Sequence, residues 1–83
     1  MNTPWEQKGG ALVKKFKFKN FAEALHFVNA IAVFAEEMNH HPDISFGWGY
    51  CEVALTSHDV QGITEGDFIL SKKIDSILQT SAD

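Results

Sequence analysis

The apolar and polar positions of this 83-residue chain repeat with two different periods, and the first period is two residues. Residues 11–18 and 50–57 alternate apolar and polar side chains, which is the pattern of a strand with one buried face. In the second segment Cys51 is predicted to lie on the core-facing side. Shorter segments at residues 4–7 and 43–46 predict two further strands, so that the four strands form two hairpins.

Two longer segments repeat their apolar residues with the period of a helix. In residues 21–38 apolar side chains recur every three or four positions, and Asn20 followed by Glu23 forms a capping-box sequence at the start. Pro42 ends this helix, because the residue before a proline avoids helical backbone angles. A second helix, with a Thr and an Asp near its start as caps, is predicted over residues 64–79.

The resulting order is strand, strand, helix, strand, strand, helix. It predicts an α+β fold in which a four-stranded antiparallel sheet carries two main helices on one face. A chain of this length has room for one core, so residues 1–83 are predicted to form a single domain. Phe27 and Phe34 widen the apolar face of the first helix to about half of its circumference. We therefore expect a subunit interface on that face, as in a homodimer or homotetramer, with a covering loop as the alternative.

The composition excludes several classes of function. Seven basic residues against eleven acidic ones give a net charge of −4, which argues against direct nucleic-acid binding. The one basic cluster consists of Lys14, Lys15, Lys17 and Lys19, and it is interpreted as the solvated face of a strand. Residues 1–10 are polar and unlike a signal peptide, and no apolar run is long enough to span a bilayer, so a cytoplasmic protein without membrane association is expected.

Three histidines at predicted element ends are the candidates for chemistry. His40 and His41 stand where the first helix meets Pro42, and His58 stands where the strand at residues 50–57 meets a loop. Imidazole transfers protons near neutral pH. If the helix continues to His40, Glu36 lies one turn earlier on the same face and can orient the ring. The alternative is a helix-end pair of modest electrostatic value.

Two other kinds of site are less favoured by the sequence. Three histidines can bind catalytic zinc, but the side chains of adjacent histidines diverge and no HExxH motif is present. A single cysteine cannot form a Cys-based metal site or an intramolecular disulfide. Cys51 is also a poor candidate nucleophile, because a core-facing thiol is typically inert. We therefore expect neither a metal nor a covalent intermediate.

The wider motif points to one family. Residues 36–43 read Glu-Glu-Met-Asn-His-His-Pro-Asp, and they are followed by Trp48, by Ser57-His58 and by residues 62–67, Gly-Ile-Thr-Glu-Gly-Asp. This combination resembles the signature of the pterin-4a-carbinolamine dehydratases. The resemblance implies a hydro-lyase that converts 4a-hydroxytetrahydropterin to quinonoid dihydropterin and so recycles the cofactor of aromatic amino-acid hydroxylases. The pterin is then the substrate, and no further cofactor is expected.

The resemblance also implies roles for individual residues. His40 and His58 would be the proton-transfer pair, with the acid and the base not distinguished. His41 would bind and orient the pterin, while Glu36 would support the histidines. The remaining residues expected to contact the pterin are Asn39, Pro42, Trp48, Thr56, Ser57 and Asp59.

The chain departs from the family pattern at several positions, and the resemblance also implies partners. Many members have Asp at the position of Asn39 and Trp at the position of Ile44, and many carry an extra helix before Trp5. Members form dimers or tetramers, and an animal branch binds homeodomain transcription factors. The alternative function is therefore a non-catalytic interaction module, with the face around Phe27 and Phe34 as its binding surface.

Overall fold

The computed structural model describes residues 4–81 of the chain. The elements in chain order are β1 (Glu6–Lys8), β2 (Ala11–Lys17), α1 (Phe21–Met38), β3 (Asp43–Gly47), β4 (Tyr50–Leu55) and α2 (Glu65–Ser81). This order and the α+β class confirm the prediction from the sequence. The bounds of α1 agree with the predicted helix, whereas β4 ends two residues earlier than the predicted strand.

The sheet is antiparallel throughout, with the strand order β1-β2-β4-β3. β2 and β4 are the two central strands, and in their register Phe16 lies opposite Cys51. Gly9 and Gly10 connect β1 to β2, and both have positive φ angles, of 54° and 79°. A two-residue hairpin turn that follows the twist of the strands requires this backbone conformation, which glycine adopts without strain.

The core lies between one face of the sheet and the two helices. Alternate residues of the central strands point into the core, where they meet the inner faces of α1 and α2. Its buried members are Leu12, Phe16, Phe27, Ile31, Cys51, Val53, Leu55, Leu70 and Ile74. The opposite face of the sheet is not covered by any described element and exposes Lys15, Lys17 and Glu52.

The start of α1 follows its predicted cap. The Asn20 side-chain oxygen accepts a hydrogen bond from the Glu23 N–H at 2.9 Å. The return bond of the predicted capping box is shifted by one residue, because the Glu23 carboxylate accepts from the Lys19 N–H at 3.1 Å. The Glu23 amide in the first turn of α1 thus has a side-chain acceptor, which favours the start of the helix after Asn20.

The predicted placement of Phe27 on a subunit interface is wrong. Phe27 is only 3% exposed, and its ring packs against Phe16 and Phe18 at centroid distances of 4.7 and 5.1 Å. The helix turns this side chain toward the sheet, so it belongs to the core of the chain itself. Among the residues that the structure describes, the large apolar side chains that α1 leaves exposed are Phe21, Leu25 and Val33.

The prediction that Lys14 belongs to a solvated strand face is also wrong. Lys14 has the same parity as Phe16, so its side chain enters the core face and is only 5% exposed. Its ammonium group lies 2.9 Å from the Asp75 carboxylate on α2 and 5.0 Å from the centre of the Phe16 ring. Asp75 also accepts hydrogen bonds from the Trp5 indole N–H at 3.2 Å, which ties the chain before β1 to α2.

Replacing Asp75 by Ala is expected to lower the free energy of unfolding by about 3 kcal/mol, because Lys14 then keeps a buried charge without its partner. The matched control is the double variant Lys14→Met/Asp75→Leu, which removes both charges and is expected to unfold close to the wild type. Urea denaturation followed by circular dichroism measures both. Wild-type stability of Asp75→Ala would contradict the assignment of a buried ion pair.

Candidate active site

A cavity opens at the end of the sheet where α1 stops and β4 runs into its loop. Its volume is about 260 Å³. It is lined by Asn39, His40, His41, Thr56, Ser57, His58 and Asp59. The chain therefore brings the three candidate histidines to one place, although they come from two segments separated by the β3–β4 hairpin.

The end of α1 positions the first two histidines. Asn39 adopts a left-handed conformation with φ of 51°, which Asn tolerates better than most residues. The N–H groups of Asn39 and His40 donate to the carbonyls of Glu36 and Ala35, at 3.2 and 3.0 Å. The helix is thereby closed before Pro42, and the side chains of His40 and His41 leave it in different directions.

A tight loop after β4 positions the third histidine. The Thr56 hydroxyl donates to the Gly10 carbonyl at 2.9 Å, and the Ser57 N–H donates to the Gly62 carbonyl at 2.8 Å. The four residues between Ser57 and Gly62 form a closed turn that includes Gln61 at a φ of 54°. His58 begins this turn with an exposed side chain. Among the described residues, no side-chain hydrogen bond or ion pair involves its imidazole.

His40 contacts a buried carboxylate at the start of α2. Its Nε2 lies 2.5 Å from the Asp67 Oδ1, and the Asp67 side chain is fully buried. The other carboxylate oxygen accepts hydrogen bonds from the Thr64 N–H at 2.8 Å and from the Ser57 hydroxyl at 3.0 Å. Asp67 is thus held on two sides, and it fixes the orientation of the His40 ring.

The environment keeps Asp67 ionised. Burial by itself raises the pKa of this carboxyl, since it disfavours the charged form. Hydrogen bonds from the Thr64 backbone, His40 and Ser57, together with the charge of His40, outweigh burial and hold the pKa of Asp67 below its ordinary value. The ionised carboxylate is therefore a charged hydrogen-bond acceptor for the His40 ring.

Glu36 supports a different histidine from the one expected. Its carboxylate lies 2.6 Å from the Nε2 of His41, not beside His40. The reason is the left-handed turn at Asn39, which takes His40 toward α2 and returns His41 toward the last turn of α1. Both side chains of this pair are exposed, so solvent screens the interaction and it contributes little to stability.

Two residues expected to contact the pterin are not among the residues that line the cavity. Pro42 follows His41 directly and is only partly buried. Trp48 lies at the tip of the β3–β4 hairpin, at the far end of a five-residue strand, and its side chain is 74% exposed. Conversely, Asp67 was expected only as a helix cap and a motif position, and its contact with His40 adds it to the candidate site.

A larger cavity, of about 620 Å³, lies at the opposite end of the sheet. Its walls are mainly Phe18, Phe27, Ile77 and Leu78, with His26 and Glu23 at the rim. Glu23 is already used as a helix cap, and the wall residues do not supply a second imidazole for proton transfer. The smaller cavity with three histidines is therefore the better candidate for catalysis.

Two general findings apply to residues 4–81. No group of three or more His, Cys, Asp or Glu side chains in this range is arranged to hold a metal ion. None of the helices within it combines the length and the apolar character needed to cross a membrane.

Comparison with known proteins identifies the family. Residues 1–77 match the family described as pterin 4 alpha carbinolamine dehydratase. The chain belongs to the pterin 4 alpha carbinolamine dehydratase family. This confirms the resemblance drawn from the motif around the three histidines. The match covers the whole candidate site, including Asp67.

Several relatives of this dehydratase-family chain carry the family name. One in Rubrobacter xylanophilus is 50% identical over 66 residues, which are 80% of this chain and 62% of the relative. One in Rickettsia canadensis is 51% identical over 67 residues, again 62% of the relative's length. One in Legionella pneumophila is 46% identical over 80 residues, which are 94% of this chain and 71% of the relative. The chain thus spans about three-fifths of the length of the first two relatives.

Solved structures share the fold. A transcriptional coactivator/pterin dehydratase from Brucella melitensis superposes with a TM-score of 0.84 at 32% identity, covering 88% of this chain and 80% of that one. A pterin dehydratase-like protein described as a RuBisCO assembly factor in the alpha-carboxysome superposes with a TM-score of 0.73 at 27% identity, covering 89% and 88%. The same fold therefore occurs in proteins described by different roles.

Proposed function

We propose that this domain dehydrates 4a-hydroxytetrahydropterin to quinonoid dihydropterin through histidine acid–base catalysis, and so recycles a pterin cofactor. The observation that carries the proposal is the pairing of His40 with the buried Asp67 in a cavity that also contains His41 and His58. Membership of the dehydratase family supplies the substrate class.

The reaction requires one acid and one base. The bond between C4a and its hydroxyl oxygen breaks, and the hydroxyl leaves as water after it receives a proton. N5 loses its proton, and the electron pair of the N–H bond forms the new double bond between N5 and C4a. Both proton transfers fall within the range of imidazole near neutral pH, so the proposal needs no metal and no covalent intermediate.

The two proton-transfer residues differ in their surroundings, and this difference supports an assignment. His40 contacts the ionised Asp67, which orients its ring, so His40 is assigned as the acid for the leaving hydroxyl. His58 is exposed and has no charged partner among the described residues, so it is assigned as the base for the N5 proton. Both rings then line one cavity, with the reacting atoms between them.

The other cavity residues bind and orient the substrate in this proposal. His41 is held by Glu36 and contacts the pterin from the α1 side. Asn39, Thr56, Ser57 and Asp59 add the polar groups that the hydrogen-bonding edge of a pterin needs. Because Asn39 stands where many family members have Asp, it removes one carboxylate from the surroundings of His40.

The fold alone does not separate a dehydratase from a binding module, since a structural neighbour is described as a RuBisCO assembly factor. The interaction module expected on Phe27 and Phe34 loses its main residue, because Phe27 is buried in the core. A histidine that contacts a buried carboxylate, in a cavity with two further imidazoles, has a direct use in proton transfer. We therefore favour the enzyme, acting in the cytoplasm on a small molecule rather than on nucleic acid.

The test is an assay with freshly generated 4a-hydroxytetrahydropterin, in which the ultraviolet change to quinonoid dihydropterin is followed at neutral pH. We expect micromolar protein to accelerate the change well beyond buffer. Free imidazole at the concentration of the protein's histidines is the control for unspecific acid–base catalysis. A rate equal to that of free imidazole would reject the dehydratase.

A further inference from the structure

The loop that carries His58 is not packed into the core by its side chains. The side chains of residues 58–61 are all exposed. Backbone bonds close the loop on itself: the Ser57 N–H donates to the Gly62 carbonyl at 2.8 Å, and the Gly62 N–H donates back to the Ser57 carbonyl at 3.3 Å. These bonds set the shape of the loop but not its position relative to the sheet. A contact from outside the loop is therefore needed to set where the His58 imidazole lies.

The β1–β2 turn supplies such a contact. The Thr56 hydroxyl, one residue before the loop, donates to the Gly10 carbonyl at 2.9 Å across 46 positions of the sequence. Gly10 also lies close to the far side of the loop, because a Cβ atom built on it would be 3.8 Å from the Gln61 carbonyl oxygen. The turn has a defined geometry, since Gly9 and Gly10 both take positive φ angles. It can therefore support both ends of the loop.

A hydroxyl carries one hydrogen, which limits what the Thr56 side chain can do. Two carbonyl oxygens lie within its reach, that of Gly10 at 2.9 Å and that of Gly62 at 3.4 Å. The shorter distance marks Gly10 as the acceptor. Donation of the same hydrogen to a pterin would break this bond. The Thr56 side chain is thus better suited to holding the loop than to donating to a substrate.

We propose that Thr56 is a positioning residue for proton transfer, which holds the His58 loop against the β1–β2 turn through its hydroxyl bond to the Gly10 carbonyl. The inference rests on the proposed function, because it gives Thr56 a part in placing the base. General acid–base catalysis requires donor and acceptor atoms within hydrogen-bond reach, and a misplacement of about 1 Å can cost about 10²-fold in rate. The turn thereby contributes to the site, although neither Gly9 nor Gly10 lines the cavity.

The neighbouring hydroxyl has a different partner. Ser57 donates to the buried Asp67 carboxylate at 3.0 Å and lies 2.7 Å from the Thr64 hydroxyl. It therefore supports the carboxylate that orients His40. The Thr56 hydroxyl bonds to neither Asp67 nor Thr64, so its removal acts on the other side of the cavity. The two adjacent hydroxyls thus each support one member of the proton-transfer pair.

Thr56→Val keeps the shape of the side chain and removes the hydroxyl. We expect it to lower kcat for 4a-hydroxytetrahydropterin about ten-fold, with little change in KM. Thr56→Ser keeps the hydroxyl and is expected to recover most of the lost kcat. The matched control is Ser76→Ala, which removes a hydroxyl that donates to the Lys73 carbonyl at 2.6 Å on α2 and should leave kcat unchanged. Wild-type kinetics of Thr56→Val, or a raised KM alone, would overturn the positioning role.

The double variant Thr56→Val/His58→Ala tests whether Thr56 acts through His58. If it does, the loss of the hydroxyl costs little once the imidazole is gone. The double variant is then expected to have the kcat of His58→Ala within about two-fold. Independent effects would multiply and lower kcat by about ten-fold more. That result would assign Thr56 to general stability or to substrate binding, and the positioning role would fall.

Amide hydrogen exchange measures the anchoring of the loop without any measurement of activity. Thr56→Val is expected to accelerate exchange of the Ser57 and Gly62 amides by about 2- to 10-fold, the range that corresponds to the loss of one hydrogen bond. The Phe18 amide, which donates to the Gly49 carbonyl at 2.9 Å, is the internal control and should keep its rate. Unchanged exchange at both loop amides would overturn the anchoring.

The outcomes separate this inference from the proposed function. If the wild type is no faster than free imidazole and the loop amides still exchange faster in Thr56→Val, the bond to Gly10 stands as a structural anchor. The dehydratase and the positioning role then fail together. If the wild type is active while exchange and kcat are both unchanged in Thr56→Val, the positioning role alone fails.

Discussion

Replacing His58 by Ala is expected to lower kcat for 4a-hydroxytetrahydropterin by about 10²–10⁴-fold, the usual range for loss of a general acid or base. The stability should change little, because the imidazole is exposed and has no side-chain partner among the described residues. A falling kcat with an unchanged unfolding midpoint is therefore the signature of lost proton transfer. Single-turnover kinetics and a thermal melt on the same sample measure both quantities.

His26→Ala is the matched control for this variant. His26 is exposed on α1 and lines the larger cavity at the opposite end of the sheet, so its removal should leave kcat unchanged. Free imidazole added to His58→Ala should restore part of the rate, since a small base can enter the space that the side chain leaves. A folded His58→Ala protein with the wild-type kcat would remove His58 from the proton-transfer pair.

The parts of the fold that were predictable from the sequence are those set by local signals. The bounds of α1 follow from Asn20 at its start and from the break before Pro42, both of which act within a few residues. The end of β4 was placed too late, because Thr56 and Ser57 alternate like strand residues but bond to Gly10 and Gly62. Those partners depend on how distant segments pack, which periodicity does not contain.

In the candidate site, too, local sequence signals were predictable and contacts between distant segments were not. The motif named the three histidines, and the structure places them around one cavity. Their carboxylate partners were not predictable, since His40 and Asp67 are 27 residues apart and the choice of Glu36 for His41 depends on the left-handed Asn39. The burial of Lys14 was readable in principle, because it shares its parity with Phe16. Lys14 was instead grouped with three nearby lysines and assigned with them to the solvated face.

Removing the carboxylate of Asp67 is expected to have the largest effect on stability. Asp67→Ala should lower the free energy of unfolding by about 3–5 kcal/mol, because the buried donors of Thr64, Ser57 and His40 lose their acceptor. Total stabilities of about 5–15 kcal/mol are usual for domains, so this variant can fail to fold. Asp67→Asn keeps the volume and one acceptor, and it is the variant suited to kinetics. We expect it to lower kcat about 10²-fold, since the His40 ring loses the charged acceptor that orients it for proton transfer.

The contribution of the ionised Asp67 carboxylate to the free energy of unfolding depends on pH. The pKa of Asp67 is lowered in the folded protein, so its stabilisation is complete above the pKa of an unfolded Asp, about 3.9. It is lost as the pH falls through the lower pKa of the folded state. The stability difference between the wild type and Asp67→Asn should therefore shrink as the pH falls below about 4. Urea unfolding at a series of pH values measures it. A difference that grows as the pH falls from about 5 to 3 would mean that the pKa of Asp67 is raised, not lowered, in the native protein.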